Sequence, residues 1–363
     1  MENTIKIHTF ENYKHENLFN ILHFVEFTYY DNYTSVFEED NRICLVNVDD
    51  FYKMQGIDTL IHSFLERNYN NKIIFSRYRE SSVKVLKVFK DYKFEKFVDG
   101  GQISMLISAE FEHPTINFCN LDFFSNAIYF DDNIKISLRY FNKIFEKEYK
   151  PYKFLCLNGK DRQHRIDLYN LLNEKNLIEN SLFSMTRPSI LPTINLPENY
   201  QDYFNDNNFS VKYGSGTADR IDWIDGLLNH NLYIDSYFSV ITETHCYETN
   251  YPFLTEKIYK PLLMGHPFLV LSTPNFYKHL KNIGYKTFDG LIDESFDTIA
   301  DNKKRVEAFA QSVENLCNSD LVEFLKKAKP ICEYNREVFM TNTAKIHLQN
   351  HASLSDFIIK IGG

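Results

Sequence analysis

Six short apolar runs recur along this chain, each too brief for a helix: Ile43–Val48, Lys72–Phe75, Ile116–Phe118, Phe154–Cys156, Tyr237–Ile241 and Phe268–Leu271. Segments with helical spacing separate them. Strands that alternate with helices build α/β units, in which connecting helices cover a sheet, and this alternation most restricts the fold. At 363 residues the chain exceeds a comfortable single core, so two domains are expected. The predicted boundary is Tyr149-Lys150-Pro151, where a proline follows a charged helix end and precedes a strand. From Pro188 to Gly216 the chain is rich in Pro, Asn and Gly without periodicity, which reads as a long surface loop. Residues after Asp301 carry long helical patterns, and the last is expected to pack back across both domains.

The best chemical signal lies in Phe253-Leu254-Thr255-Glu256-Lys257, just downstream of the apolar run Ser239–Thr244. Thr255 is a helix N-cap by type, which sets free backbone N–H groups and the positive end of a helix beside Glu256 and Lys257. That environment suits a phosphate. Lys257 adds a full charge, and a carboxylate at Glu243 or Glu256 can accept two hydrogen bonds from the vicinal hydroxyls of a ribose. Ile258, Leu262 and Leu263 give the helix a core face, Gly265 ends it, and Pro261 is expected to bend it or split off its first turn. Taken alone, the triplet is also what an ordinary capped helix with a solvated lysine looks like.

A second segment points the same way. Lys153–Asn158 reads as a buried strand that turns through Gly159-Lys160-Asp161 into a helix carrying Ile166, Leu168, Leu171 and Leu172. Arg162 and Arg165, three apart, would share one face at its start, where two guanidinium forks can clamp a diphosphate. The plain alternative is a polar helix start with surface arginines.

Leu157-Asn158 with Arg162 and His164-Arg165, then Glu243, Thr255-Glu256-Lys257, Pro267–Val270 and Ile283–Phe288 resemble, in this order, a fucosyltransferase-like group of GT-B glycosyltransferases found in bacteriophage and bacterial surface-sugar genes. The resemblance covers about residues 150 to 300. It implies a GT-B fold: two Rossmann-like domains facing a cleft, with C-terminal helices. Residues 1–150 would bind the acceptor, 151–335 the nucleotide sugar, and 336–363 would form a C-terminal helical segment. It further implies that Glu256 meets the ribose, that Lys257 with Arg162 or Arg165 meets the phosphates, and that Glu243 fills an earlier acidic position. No metal or other cofactor is implied for the chemistry. Pro261 and Thr242-Glu243-Thr244 depart from the fucosyltransferase pattern, so the donor sugar is not read as fucose.

The first 150 residues carry no such likeness, but their charge is uneven. Arg67 to Lys96 holds nine basic residues against three acidic ones, within a chain of net charge −9. Drawn as a helix, Ser82–Lys90 sets Lys84, Lys87 and Lys90 opposite Val85, Leu86, Val88 and Phe89. With Arg77 and Arg79 these lysines could contact a phosphate backbone, or they could be the solvated face of an amphipathic helix. Asp99, in the turn Asp99-Gly100-Gly101, is the candidate general base for an acceptor hydroxyl, with Glu110 and Glu112 as alternatives. The same turn is good Asp-Gly chemistry without any catalytic role.

The expected function is therefore transfer of a sugar from a nucleotide sugar to a hydroxyl, with a hydroxylated base in double-stranded phage DNA as the favoured acceptor. A surface polysaccharide or lipopolysaccharide acceptor, and a nucleotide- or nucleic-acid-binding protein without turnover, are the alternatives. A GT-A reading would use Asp49-Asp50 or Asp131-Asp132, neither of which has D-x-D spacing. No apolar run reaches 18 residues and Met1–Lys6 lacks signal-peptide regions, so a cytoplasmic location without stable membrane insertion is expected, the host cytoplasm if the gene is a phage's. Six scattered cysteines with apolar neighbours read as reduced core thiols rather than disulfides or zinc ligands.

Overall fold

The computed structural model describes residues 4–10, 25–38, 42–48, 54–77, 88–98, 100–107, 116–120, 128, 131–200, 228–247 and 252–362. The strands are β1 (Ile5–Phe10), β2 (Val25–Tyr30), β3 (Ile43–Asn47), β4 (Lys72–Arg77), β5 (Ile103–Ile107), β6 (Asn117–Asn120), β7 (Tyr152–Lys160), β8 (Ser181–Arg187), β9 (Ser236–Thr242) and β10 (Phe268–Leu271). The longer helices are α1 (Ile57–Arg67), α2 (Asp131–Glu146), α3 (Gln163–Glu174), α4 (Glu256–Met264), α5 (Phe276–Asn282), α6 (Asn302–Cys317) and α7 (Leu321–Gly362). The chain divides into two units, Met1–Phe123 with Lys345–Gly363, and Phe124–Ala344.

The first unit holds a six-stranded parallel sheet in the order β2-β1-β3-β4-β5-β6. The period of two along β3 sorts its side chains to two cores. Cys44 and Val46 join Ile61, Phe64 and Leu65 of α1 on one face. Ile43 and Leu45 join Ile7, Ile74 and Leu106 under Leu354, Phe357 and Ile358 of α7 on the other. Cover on both faces is why these strands read as unbroken apolar runs. Gly362 at the end of α7 lies close over Ile5, whose Cδ1 a Cβ there would meet at 2.5 Å. Lys72 Nζ donates to the Ile361 carbonyl at 2.6 Å, placing a cation at the negative helix end.

The second unit holds a four-stranded parallel sheet in the order β10-β9-β7-β8. The chain begins at β7, steps outward to β8, then returns past β7 to β9 and β10. Strand order therefore reverses between β7 and β9, the mark of a doubly wound sheet. All seven residues of β9 and all four of β10 are buried. Inside this core Ser239 Oγ meets His266 Nδ1 at 2.9 Å, while His266 Nε2 donates to the Ser236 carbonyl at 2.9 Å. Burial pushes His266 down to about 3, so this serine–histidine pair is a neutral internal bond.

The sequence expectations on domain bounds, on Pro261 and on Asp131-Asp132 are corrected. The division falls ahead of α2 rather than at Pro151, because α2 packs on the second unit: Ser137 Oγ donates to the Leu263 carbonyl at 2.6 Å. Likewise residues 336–344 belong to the second unit, and α7 contributes only its part from Lys345 onward to the first. Pro151 still marks the start of a strand, since β7 begins one residue later. Pro261 does not split its helix, and α4 runs unbroken through it. Only the Lys257 carbonyl loses its intrahelical partner, while Ile258, Tyr259, Leu262, Leu263 and Met264 are buried around the proline. Gly265 then closes the helix at φ 65°, and a Cβ there would sit 2.1 Å from Phe141 Cε2 of α2. Asp131 and Asp132 open a helix rather than follow a strand, which removes that GT-A motif. Asp49 and Asp50 lie outside the described residues.

Candidate functional site

In open α/β sheets the reversal point leaves a crevice outside the carboxyl ends of the strands, because the flanking connections depart to opposite faces. Here those ends are Asn158-Gly159-Lys160 of β7 and Thr242 of β9, with Glu243 directly after it. The two are laced together. Thr242 Oγ1 donates to Asn158 Oδ1, and Arg165 donates from Nη1 to the Lys160 carbonyl at 2.9 Å and from Nη2 to the Thr242 carbonyl at 3.1 Å. Arg165 is 4% exposed, and burial, with the nearby charge of Arg162, lowers its pKa to about 10. Its fork thus holds the strand ends together and does not face outward beside Arg162. The predicted pair of arginine clamps reduces to one. Arg162 caps α3 with extended backbone, and its guanidinium, partly exposed, makes no hydrogen bond or ion pair with the described residues.

His164 Nε2 donates to the Glu243 carbonyl at 3.0 Å, and burial pushes the ring down to about 3, so it is neutral. Glu243 has no exposed surface. Its Oε1 accepts from Thr255 N at 3.2 Å, and its Oε2 accepts from Thr255 Oγ1 at 2.6 Å and Thr244 N at 3.2 Å. Burial raises its pKa above the usual carboxylate value, against the pull of Lys257 and the Thr255 bonds. Thr255 is the N-cap of α4 and accepts from Lys257 N at 3.3 Å. Lys257 Nζ reaches Thr255 Oγ1 at 3.2 Å, Thr244 Oγ1 at 3.4 Å and the Glu256 carboxylate. Glu256, with a side chain 12% exposed, is pushed up by burial, but Lys257 and Lys260 outweigh that and hold it below the ordinary value.

Arg162, Arg165, Glu243, Thr255, Glu256 and Lys257 therefore all gather at the ends of β7 and β9. Asp99, Arg79, Lys84, Lys87, Glu110 and Glu112 lie outside the described residues, as does the side chain of Arg77, whose backbone ends β4. Of the predicted basic helix only its end is described: Val88 and Phe89 are buried and Lys90 is exposed, the amphipathic order the spacing implies.

Sequence reading missed the wall of the crevice at β8. Asp161 accepts from Ser189 N at 2.6 Å, Ser189 Oγ at 2.9 Å and Ile190 N at 2.6 Å, tying the loop after β8 to the turn after β7. Those donors, the Ile190 N–H foremost, hold Asp161 down at about 2. Arg187 ends β8 with an exposed side chain lying over Gly159, where a Cβ would meet its Nη2 at 3.3 Å. The available signal was Gly159 itself, a residue without a side chain at a strand end. Further back, Arg305, 1% exposed, donates to the carbonyls of Cys246, Ser272, Ile299 and Ala300, fixing the loops after β9 and β10.

Chemically, this arrangement offers a lysine and a helix N-terminus for an anion, a guanidinium across the strand ends, and a carboxylate for hydroxyls. Among the described residues no three His, Cys, Asp or Glu side chains gather to hold a metal ion, and no helix is long and apolar enough to cross a membrane. No family model, curated protein or solved structure matches the chain.

Proposed function

We propose that the second unit binds the nucleoside diphosphate of a sugar nucleotide at the β7/β9 crevice, and that the protein is a glycosyltransferase of GT-B type. The observation that carries this reading is the convergence of Lys257, the Thr255-capped start of α4 and Arg162 on the carboxyl ends of two strands where sheet order reverses. Lys257 and Arg162 would hold the phosphates, and Glu256 the ribose hydroxyls. The acceptor is a hydroxyl, for which a hydroxylated base in DNA is supported by the basic run from Arg77 to Lys90. Asp99 is the proposed base that takes the hydroxyl proton.

The test is incubation with a panel of sugar nucleotides and DNA carrying hydroxymethylated bases, followed by measurement of nucleoside diphosphate release and of DNA mass. Release that depends on the modified DNA supports the whole reading. Release with a glycan instead retains the transferase and discards the DNA acceptor, and nucleotide binding without any release reduces the protein to a binding module.

A further inference from the structure

We infer that Glu243 is a positioning residue: its buried carboxylate fixes, through the Thr255 hydroxyl, the ammonium of Lys257 in place for a diphosphate. The inference rests on the donor-site reading above and changes one of its assignments, since sequence reasoning set Glu243 among the groups that could meet the ribose. With no exposed surface, Glu243 is closed to a ligand.

The direction of the hydrogen bonds follows from what each group can do. Lys257 offers only donors on the side toward Thr255, its backbone N–H at 3.3 Å and its Nζ at 3.2 Å. The Thr255 hydroxyl accepts both and has one proton left, which goes to Glu243 Oε2 at 2.6 Å. Thr255 N and Thr244 N supply two more donors, so Glu243 receives three and offers none, the pattern of an ionised carboxylate. Glu256 differs. One of its oxygens meets Lys257, and its side chain keeps access to the outside, so it is the carboxylate left for ribose hydroxyls.

A glutamine at 243 has the right shape and the wrong polarity. With its amide oxygen toward the Thr255 hydroxyl and Thr244 N, the NH₂ is pressed against Thr255 N–H and disturbs the cap; in the other orientation it faces the hydroxyl and breaks the relay, and in both the packing volume is kept. Either way Thr255, the acceptor that orients the Lys257 ammonium, is held less firmly.

The experiment is a double-mutant cycle read by calorimetry, with uridine, guanosine, cytidine and thymidine diphosphates as probes and the tightest binder carried forward. Glu243→Gln is expected to weaken binding ~10-fold in the wild-type background and less than ~2-fold when Lys257→Ala is already present, since a positioning group has nothing left to position. Equal costs in both backgrounds, or no cost in the wild type, overturn the inference while leaving the donor site standing. A wild type that binds none of the probes, or a Lys257→Ala variant of unchanged affinity, overturns the donor site and the inference with it. Should Glu243→Gln fail to fold, Glu243→Asp, which keeps the charge and draws the carboxylate back from the Thr255 hydroxyl by one methylene, takes its place, with the same outcomes.

Discussion

Two regions of the second unit bury carboxylates near the ends of strands, and they use them differently. At the β7/β9 crevice the acids come with cations: Glu243 and Glu256 stand around Lys257, and Arg162 caps the neighbouring helix. Beside β10, a concavity of about 670 Å³ is lined by Tyr277, Lys281, Glu294 and Asp297, among others. Yet its two buried acids are turned into the protein's own backbone: Asp297 accepts from Tyr277 N at 3.1–3.2 Å, and Glu294 accepts from Phe288 N and Thr287 Oγ1, each at 2.7 Å. The difference teaches that burial of an acid says little about binding. What marks the crevice is Arg162, a guanidinium with no hydrogen bond or ion pair to the described residues, beside the Lys257 ammonium at the capped start of α4.

The largest expected effect tests the structural half of this comparison. Asp297→Ala leaves the first N–H groups of α5 buried without acceptors and should cost ~3 kcal/mol of stability, with nucleotide affinity kept. Chemical denaturation beside calorimetry measures both, and a weakened affinity at unchanged stability would reverse the roles assigned to the two regions. Next comes Lys257→Ala, which should weaken nucleoside diphosphate binding by ~1.5–3 kcal/mol and leave the melting temperature close to wild type.

Smaller effects concern pH, where His164 and Glu294 have opposite signs. Burial pushes His164 in the crevice down to about 3, so the unfolded chain binds the extra proton between its ordinary 6.5 and 3, and stability is lost as pH falls through that window. Burial pushes Glu294 up to about 7, so the native state holds the extra proton between 4.5 and 7, and stability is lost as pH rises through that window. Glu294→Gln should therefore reduce the loss between pH 5 and pH 8 by on the order of 1–2 kcal/mol in urea titrations. An unchanged difference would mean that Glu294 is ionised in the native state throughout. The smallest effect is Arg162→Lys, which keeps the charge and removes the fork. It should cost about 1 kcal/mol of diphosphate affinity, whereas Arg165→Lys should lower stability instead, because its two carbonyl partners lie on different strands.

Much of the fold was legible where a strand is buried on both faces. Ile43–Val48, Tyr237–Ile241 and Phe268–Leu271 announce themselves as apolar runs and become β3, β9 and β10. Four strands were missed for a physical reason that β1 and β2 share: Ile5-Lys6-Ile7-His8 and Val25-Glu26-Phe27-Thr28 interleave polar residues, which weakens a run without weakening a strand. β8 hides similarly, with Ser181 and Ser184 buried among apolar residues. The candidate site was legible in composition and not in direction. Thr255, Glu256 and Lys257 could be placed on one capped helix from their order alone, but nothing in the spacing of Arg162 and Arg165 says that one guanidinium turns inward to two carbonyls. Nor does the sequence say that Glu243 is closed over by Thr255, since that contact joins residues twelve apart across a loop.

Hydrogen exchange, compared with and without the tightest-binding nucleoside diphosphate, tests the central claim most directly, because it reads both regions in one measurement. New protection is expected in Asn158–Arg165 and Glu243–Lys257, with the Tyr277–Thr298 stretch unchanged. Protection centred on Tyr277–Thr298, or none in either region at saturating nucleotide, would contradict it.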